Sequence, residues 1–265
     1  MDRAAVLAAF NQQVRQATAP DGTGATFTKT DVLVRRLAPP GQEGSGIVWT
    51  DLDSADAGAD EVIAEQIGIF TGRAQPFEWK LYDYDQPADL ADRLLAAGLV
   101  AEEPESFMVA EVAAVLEQLR SAGLPDGVRV DRVTDPAGVA KMTEVSQLVF
   151  EEDRSELRES ILAQLRTAPE MTGLFVAMAG DVPVCAARIE FLPDTEFAGL
   201  WGGGTLPEWR GRGIYRALVR YRAELAAQRG YRYLTVDASP DSRPILERLG
   251  FIRLAITTPY TWTPS

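Results

Sequence analysis

A chain of 265 residues with 46% hydrophobic content is long enough to bury one large core or two of ordinary size, and two domains are expected. Histidine is absent and Cys185 is the only cysteine, which excludes an intrachain disulfide, the common imidazole and thiolate zinc clusters, and Ser-His-Asp or Cys-His catalysis. With 39 acidic against 26 basic residues, the net charge of −13 repels nucleic-acid phosphates and suits a cationic or amine substrate.

No apolar run reaches the roughly 18 to 20 residues of a membrane span. The segment Met1 to Leu7 lacks a signal peptide's long apolar stretch, so a soluble, cytoplasmic protein without a membrane partner is expected. Val6, Phe10 and Val14 stand at helical spacing and predict a helix over Asp2 to Ala17, broken by the Gly/Thr/Pro-rich stretch Thr18 to Thr30. Strands follow at Val32 to Val34 and Gly46 to Trp49, around the turn Pro39-Pro40-Gly41. Ile63, Ile67 and Phe70 predict a helix over Asp60 to Phe70. Phe77 to Tyr84 reads as a strand, Pro87 to Ala97 as a helix closed by Gly98, Ser106 to Ala110 as a strand, and Glu111 to Ala122 as a helix. The breaker Gly123 to Gly127 marks a domain boundary, giving domains 1–125 and 126–265.

Beyond it come a strand (Val128 to Val133), two helices (Pro136 to Phe150, Ser155 to Arg166) and strands at Gly173 to Ala179, Val182 to Phe191 and Phe197 to Thr205. The helix Gly213 to Arg229 has Ile214, Ala217, Leu218, Tyr221 and Leu225 on one face. Strand Tyr233 to Asp237, helix Ser242 to Leu249 and strand Phe251 to Trp262 complete the order. The unit strand, helix, Gly98, strand resembles the later unit strand, helix, Gly250, strand, which suggests an internal repeat.

The segment that carries chemistry joins a strand to a helix: Thr205-Leu206-Pro207-Glu208-Trp209-Arg210-Gly211-Arg212-Gly213-Ile214-Tyr215-Arg216. A helix N-terminus offers unpaired N–H groups and about half a positive charge, and glycine lets an anion approach the backbone closely. From Trp209 to Ala223 the chain has Arg210, Arg212, Arg216, Arg220 and Arg222 and no carboxylate, an anomaly in an acidic protein that a multiply phosphorylated ligand accounts for. A solvated arginine face beside an ordinary glycine turn is the plainer alternative. The glycines fit neither the dinucleotide fingerprint nor a Walker A loop.

The segment resembles the pyrophosphate signature of the GCN5-related N-acetyltransferase family, Gln/Arg-x-x-Gly-x-Gly/Ala, through Arg210 and Gly213, and Ser242 to Phe251 is similar to that family's helix ending in Leu-Gly-Phe. The resemblance covers Val128 to Ser265. It implies an α+β fold of mixed α/β order: tandem GNAT-like domains, each a twisted, mostly antiparallel sheet flanked by helices, with splayed central strands in the C-terminal, catalytic one. It implies acetyl-CoA or another acyl-CoA as co-substrate, no metal, an amine acceptor in a small molecule or peptide, direct attack in a ternary complex, and room for a homodimer. The residues implied for the cofactor are Gly203, Gly204, Thr205, Leu206, Arg210, Gly211, Arg212, Gly213, Ile214, Tyr215, Arg216, Ser239 and Ser242.

Two departures stand out. Tyr215 replaces the usual last Gly or Ala of the signature, and Leu246 stands where many members carry a tyrosine thought to protonate the thiolate. With histidine absent, the general base falls to Glu190 or Asp237, directly or through water, each with a structural carboxylate as its plainer reading. Cys185 reads as a core residue, while Trp201 and Tyr260 are candidates to line an acceptor pocket or to belong to a core. Asp51 to Asp60 is acidic and would repel phosphates, so the degenerate N-terminal half is not expected to bind CoA. A non-catalytic acyl-CoA-binding regulatory module and a scaffold are the alternatives.

Overall fold

The computed structural model describes residues 1–55 and 58–264. Helix α1 (Arg3–Phe10) runs into a π-helical turn, Asn11–Arg15; then come β1 (Thr26–Lys29), β2 (Leu33–Leu37), β3 (Gly46–Thr50), α2 (Ala59–Gly72) and β4 (Phe77–Tyr82). Next are α3 (Leu90–Ala96), β5 (Val100–Ala101), β6 (Glu105–Glu111), α4 (Val112–Gln118), β7 (Val128–Val133), α5 (Pro136–Phe150) and α6 (Ser155–Thr167). The chain continues through β8 (Thr172–Ala179), β9 (Val182–Phe191), β10 (Phe197–Thr205), α7 (Ile214–Gln228), β11 (Tyr233–Ala238), α8 (Arg243–Glu247) and β12 (Ile252–Trp262). Among the described residues no helix is long and apolar enough to cross a membrane.

Two compact units divide these elements: Met1–Met108 with Asp237–Arg243 and Arg253–Ser265, and Val109–Val236 with Pro244–Ile252. The terminal residue Ser265, and Asp56 and Ala57 of the acidic stretch, lie outside the described residues.

In the first unit the strand order is β1-β2-β3-β4-β12, with β5 also on β12; every pair is antiparallel except β3 with β4. Helix α2 exposes Asp60 and Glu61 in its first turn and buries Val62, Ile63 and Phe70 on one face. These join Leu33, Ile47, Trp79, Leu90, Leu94 and Tyr260 in one core, where Phe70 stacks on Phe77 at 4.2 Å between ring centroids. The expected first helix is α-helical only to Phe10, because the wider turn after it carries Arg15 inward. There Arg15 donates from Nε to the Val48 carbonyl at 3.0 Å and from both terminal nitrogens to Asp85 at 2.8 and 2.7 Å. The stretch Thr18 to Thr30, expected only as a break, contains β1. Its side chains are mostly exposed and it pairs with β2 through main-chain bonds, so no apolar alternation announces it. The helix expected from Pro87 begins at Leu90.

In the second unit the order β11-β10-β9-β8-β7 is antiparallel throughout except β10 with β11. Asp135 caps α5, accepting from the Gly138 amide at 2.7 Å, and Pro136 opens the helix. The apolar face of α5 lies on one side of the sheet in a core of Val139, Met142, Val145, Ile161, Leu174, Val176 and Ala186. Helix α7 covers the opposite side, burying Ile214, Ala217, Leu218 and Leu225. The β10–β11 register spans only Phe197↔Tyr233 to Gly199↔Thr235, while β10 runs on to Thr205: the central strands part there. The same closing turn follows α3 and α8. Gly98 and Gly250 both sit at φ 91°, with the Leu99 amide on the Leu94 carbonyl and the Phe251 amide on the Leu246 carbonyl, each at 3.1 Å.

Candidate functional site

The strand-to-helix junction of the second unit is built by a change of hand in the backbone. After the short turn Pro207–Trp209, Gly211 and Gly213 take φ of 74° and 82°, a left-handed region that costs other residues steric energy. Added Cβ atoms there would meet nothing within 4 Å at Gly211, and only the Gly123 carbonyl at 3.7 Å at Gly213, so the glycines serve conformation and open space together. The first helical bond among the described residues runs from the Ala217 amide to the Gly213 carbonyl at 3.0 Å. The amides of Gly211, Arg212, Gly213, Ile214, Tyr215 and Arg216 have no acceptor among the described residues. Gly211, Arg212 and Arg216 are exposed. A helix N-terminus with free amides is a geometry that can accommodate an anion.

The arginines divide into groups. Arg210 donates from Nε to the Thr205 carbonyl at 3.1 Å and ties the turn to the strand end. Arg212 lies over the Trp209 ring at 4.6 Å and donates to the Glu208 carbonyl, and Arg216 pairs with no carboxylate among the described residues. Arg220 points elsewhere, holding Glu224 at 2.8 Å and the carbonyls of Arg120 and Ala122. Arg222 is inside the unit, 1% exposed. The run of arginines therefore has three uses, and only Arg210, Arg212 and Arg216 flank the turn. Helical spacing placed Arg220 and Arg222 near the others in sequence; only packing turned them away.

The glycines of β10 answer to packing on both sides of the sheet. A Cβ at Gly203 would stand 2.8 Å from the Tyr215 ring, and one at Gly204 would stand 2.8 Å from Val149 of α5. Tyr215 thus tucks its ring beneath the strand. Burial raises its phenol pKa, an effect that Arg222 opposes. Gly202 has φ 56°, and the β9–β10 register shifts between Trp201 and Gly204, a bulge after which the pairing resumes at Gly204↔Ala186. Leu206, next to the strand end, donates to the Val184 carbonyl and is buried.

Glu190 and Asp237 belong to different units. Glu190 lies opposite Gly199, the last β10 residue in register with β11, and is held by Arg188 Nε at 3.0 Å. Arg188 also lies 5.8 Å from the Trp201 ring. Its position two residues before Glu190 on one face of a strand is the signal from which this pair was legible. Asp237 is spent on Lys80 at 2.6 Å, with the Thr257 hydroxyl donating at 3.4 Å. Burial works against the Lys80 charge, but Asp237 and its neighbours hold the ammonium above its ordinary pKa. Ser239 and Ser242, also in the first unit, bond to each other at 3.2 Å in the turn that opens α8. Leu246 and Cys185 are fully buried, and burial pushes the Cys185 thiol up to about 11 despite its contact with Thr205 Oγ1. Tyr260 is in the first unit's core, whereas Trp201 is 39% exposed.

Residues 139–251 match the family model described as Acetyltransferase (GNAT) family. No curated protein matches the sequence. A GCN5-related N-acetyltransferase from Kribbella flavida shares the fold at a TM-score of 0.70 and 18% identity, over 100% of this chain and 96% of that one. A functionally unknown conserved protein from Staphylococcus epidermidis aligns at 0.66 and 13% identity, over 92% and 96%. A tandem GNAT protein from the clavulanic acid biosynthesis pathway aligns at 0.59 and 15% identity, over 89% and 82%. At these identities the likeness is one of fold.

Proposed function

We propose, from the match of residues 139–251 to the acetyltransferase (GNAT) family model, that the protein transfers an acyl group from acetyl-CoA, or a close acyl-CoA, to an amine of a small molecule or peptide. The observation that carries this reading is the row of unengaged amides from Gly211 to Arg216, flanked by Arg210, Arg212 and Arg216 at the mouth of α7. A diphosphate meets several donors there at once. Pantetheine would lie along β10 past Gly199, where β11 no longer pairs with it, in the manner of an added strand.

The amine attacks the thioester directly, without a covalent enzyme intermediate. Glu190, level with the point where the strands part, is the proposed base, directly or through water. Asp237 keeps a structural role with Lys80. The first unit is proposed as a degenerate copy that does not bind CoA, a reading supported by the matched turns at Gly98 and Gly250 and by the tandem relative. The test is Gly213→Val, which fills the turn with a β-branched side chain. Its acetyl-CoA KM should rise tenfold or more, or activity should vanish, with the fold retained; unchanged kinetics in the folded variant would refute the reading.

A second reading, a non-catalytic acyl-CoA-binding module, is favoured by the complete burial of Leu246, which stands where many members of the resembled family carry a tyrosine thought to protonate the leaving thiolate. Calorimetry showing tight acetyl-CoA binding, with no turnover over a broad amine panel, would select it.

A further inference from the structure

Arg222 breaks the ordinary rule for a buried charge. Its Nε donates to the Leu218 carbonyl at 3.1 Å and its Nη1 to the Arg188 carbonyl at 3.3 Å. Nη2 is buried and meets no acceptor at hydrogen-bonding geometry among the described residues. Among the described residues no carboxylate is beside it: the groups that favour its charge are the Tyr215 phenol, by charge and by hydrogen bonding, and the Cys185 thiol, and desolvation outweighs them, lowering its pKa. Replacing such a group by an apolar side chain of similar volume is often neutral or stabilising, so packing alone gives no reason to keep it. Violations of this kind concentrate where function uses them.

The surroundings show where the charge is aimed. A Cβ on Gly203 would stand 3.6 Å from Nη2, which places the guanidinium directly beneath the β10 backbone at its bulge. Two residues on, Thr205 Oγ1 is 3.0 Å from Cys185 Sγ, on the same side of the sheet. Above this cation β10 has no β11 register partner.

We propose that Arg222 is a positioning residue of acyl transfer, its unpaired charge fixed under Gly203 to Thr205 so that negative charge developing on a thioester along the open edge of β10 meets a field already in place. The proposal rests on the function inferred above. In the reaction the amine lone pair forms the C–N bond at the thioester carbonyl and the π electrons move to oxygen. Their return breaks the C–S bond. The amine proton passes to Glu190 or water, and the expelled thiolate takes a proton from solvent. Both the oxyanion and the thiolate are anions that a preplaced cation stabilises without reorganising.

The test uses the full chain and its Arg222→Met, Arg222→Gln and Arg222→Lys variants. Measured are kcat and KM with acetyl-CoA and the best amine of a panel, CoA affinity by calorimetry, and Tm without ligand. The Met variant should melt at or above the wild-type Tm and bind CoA within about twofold. It should lose on the order of tenfold or more in kcat at nearly constant acetyl-CoA KM, with Lys restoring most of the rate. If Met does not fold, Gln, which can keep the carbonyl contacts without the charge, decides by the same loss. Wild-type kcat in either neutral variant overturns the proposal, as does a rate loss that follows a fall in Tm and CoA affinity and that Lys leaves uncorrected. A wild-type chain that neither binds nor turns over acetyl-CoA overturns the proposed function itself, a result separate from the variants.

Discussion

Gly203 and Arg15 show how a single side chain, or its absence, is fixed by what surrounds it. At Gly203 the Tyr215 ring occupies the place of a Cβ. Gly203→Ala should therefore destabilise by about 1–3 kcal/mol through overpacking, measured by urea unfolding, and by clearly less in a Tyr215→Ala background. Equal costs in the two backgrounds would show that the ring is not the obstacle. Arg15 and Asp85 are 3% and 2% exposed and joined at 2.7 Å, so removing one leaves the other charge buried. Arg15→Ala should cost about 3–5 kcal/mol by the same measurement. Neither residue declares this in sequence. Arg15 reads as a polar position near a helix end, and its partner is 70 residues away in the chain.

Strand β4 carries a charge arrangement with a pH signature. Desolvation raises the pKa of Glu78, which Lys80 only partly offsets, and desolvation likewise raises Glu105. For such groups the folded state holds the proton more tightly than the unfolded chain. Their favourable contribution is complete below the ordinary carboxylate value of 4.5 and is lost as pH rises through the raised folded value. Glu78→Gln should accordingly raise Tm at neutral pH, with the gain shrinking to nothing on acidification below that value; a gain independent of pH in thermal melts would contradict the assignment. The β10–α7 element differs in kind. There the departure from regular structure is a bulge and two left-handed glycines, and what it leaves exposed is backbone.

For the chain as a whole, ligand linkage gives the broadest measurement. Acetyl-CoA at 100 times its Kd should stabilise the folded protein by about 2.7 kcal/mol and lift Tm by roughly 5–10 °C in a thermal-shift scan. No shift with any CoA thioester would remove the anion site from consideration. The sequence by itself determined most element positions, the family likeness of the later half and the glycine-arginine turn, because helical and strand periodicities, glycine at left-handed positions and local charge are properties of neighbouring residues. It left β1 unseen, since an exposed strand held by main-chain bonds has no apolar pattern, and it began α3 too early. It grouped five arginines that packing then divided, and set Glu190 beside Asp237 as equals although one faces Arg188 in the second unit and the other holds Lys80 in the first. Only the tertiary structure decided these matters, because a side chain's partner, its burial and the charge it must share come from residues far apart along the chain.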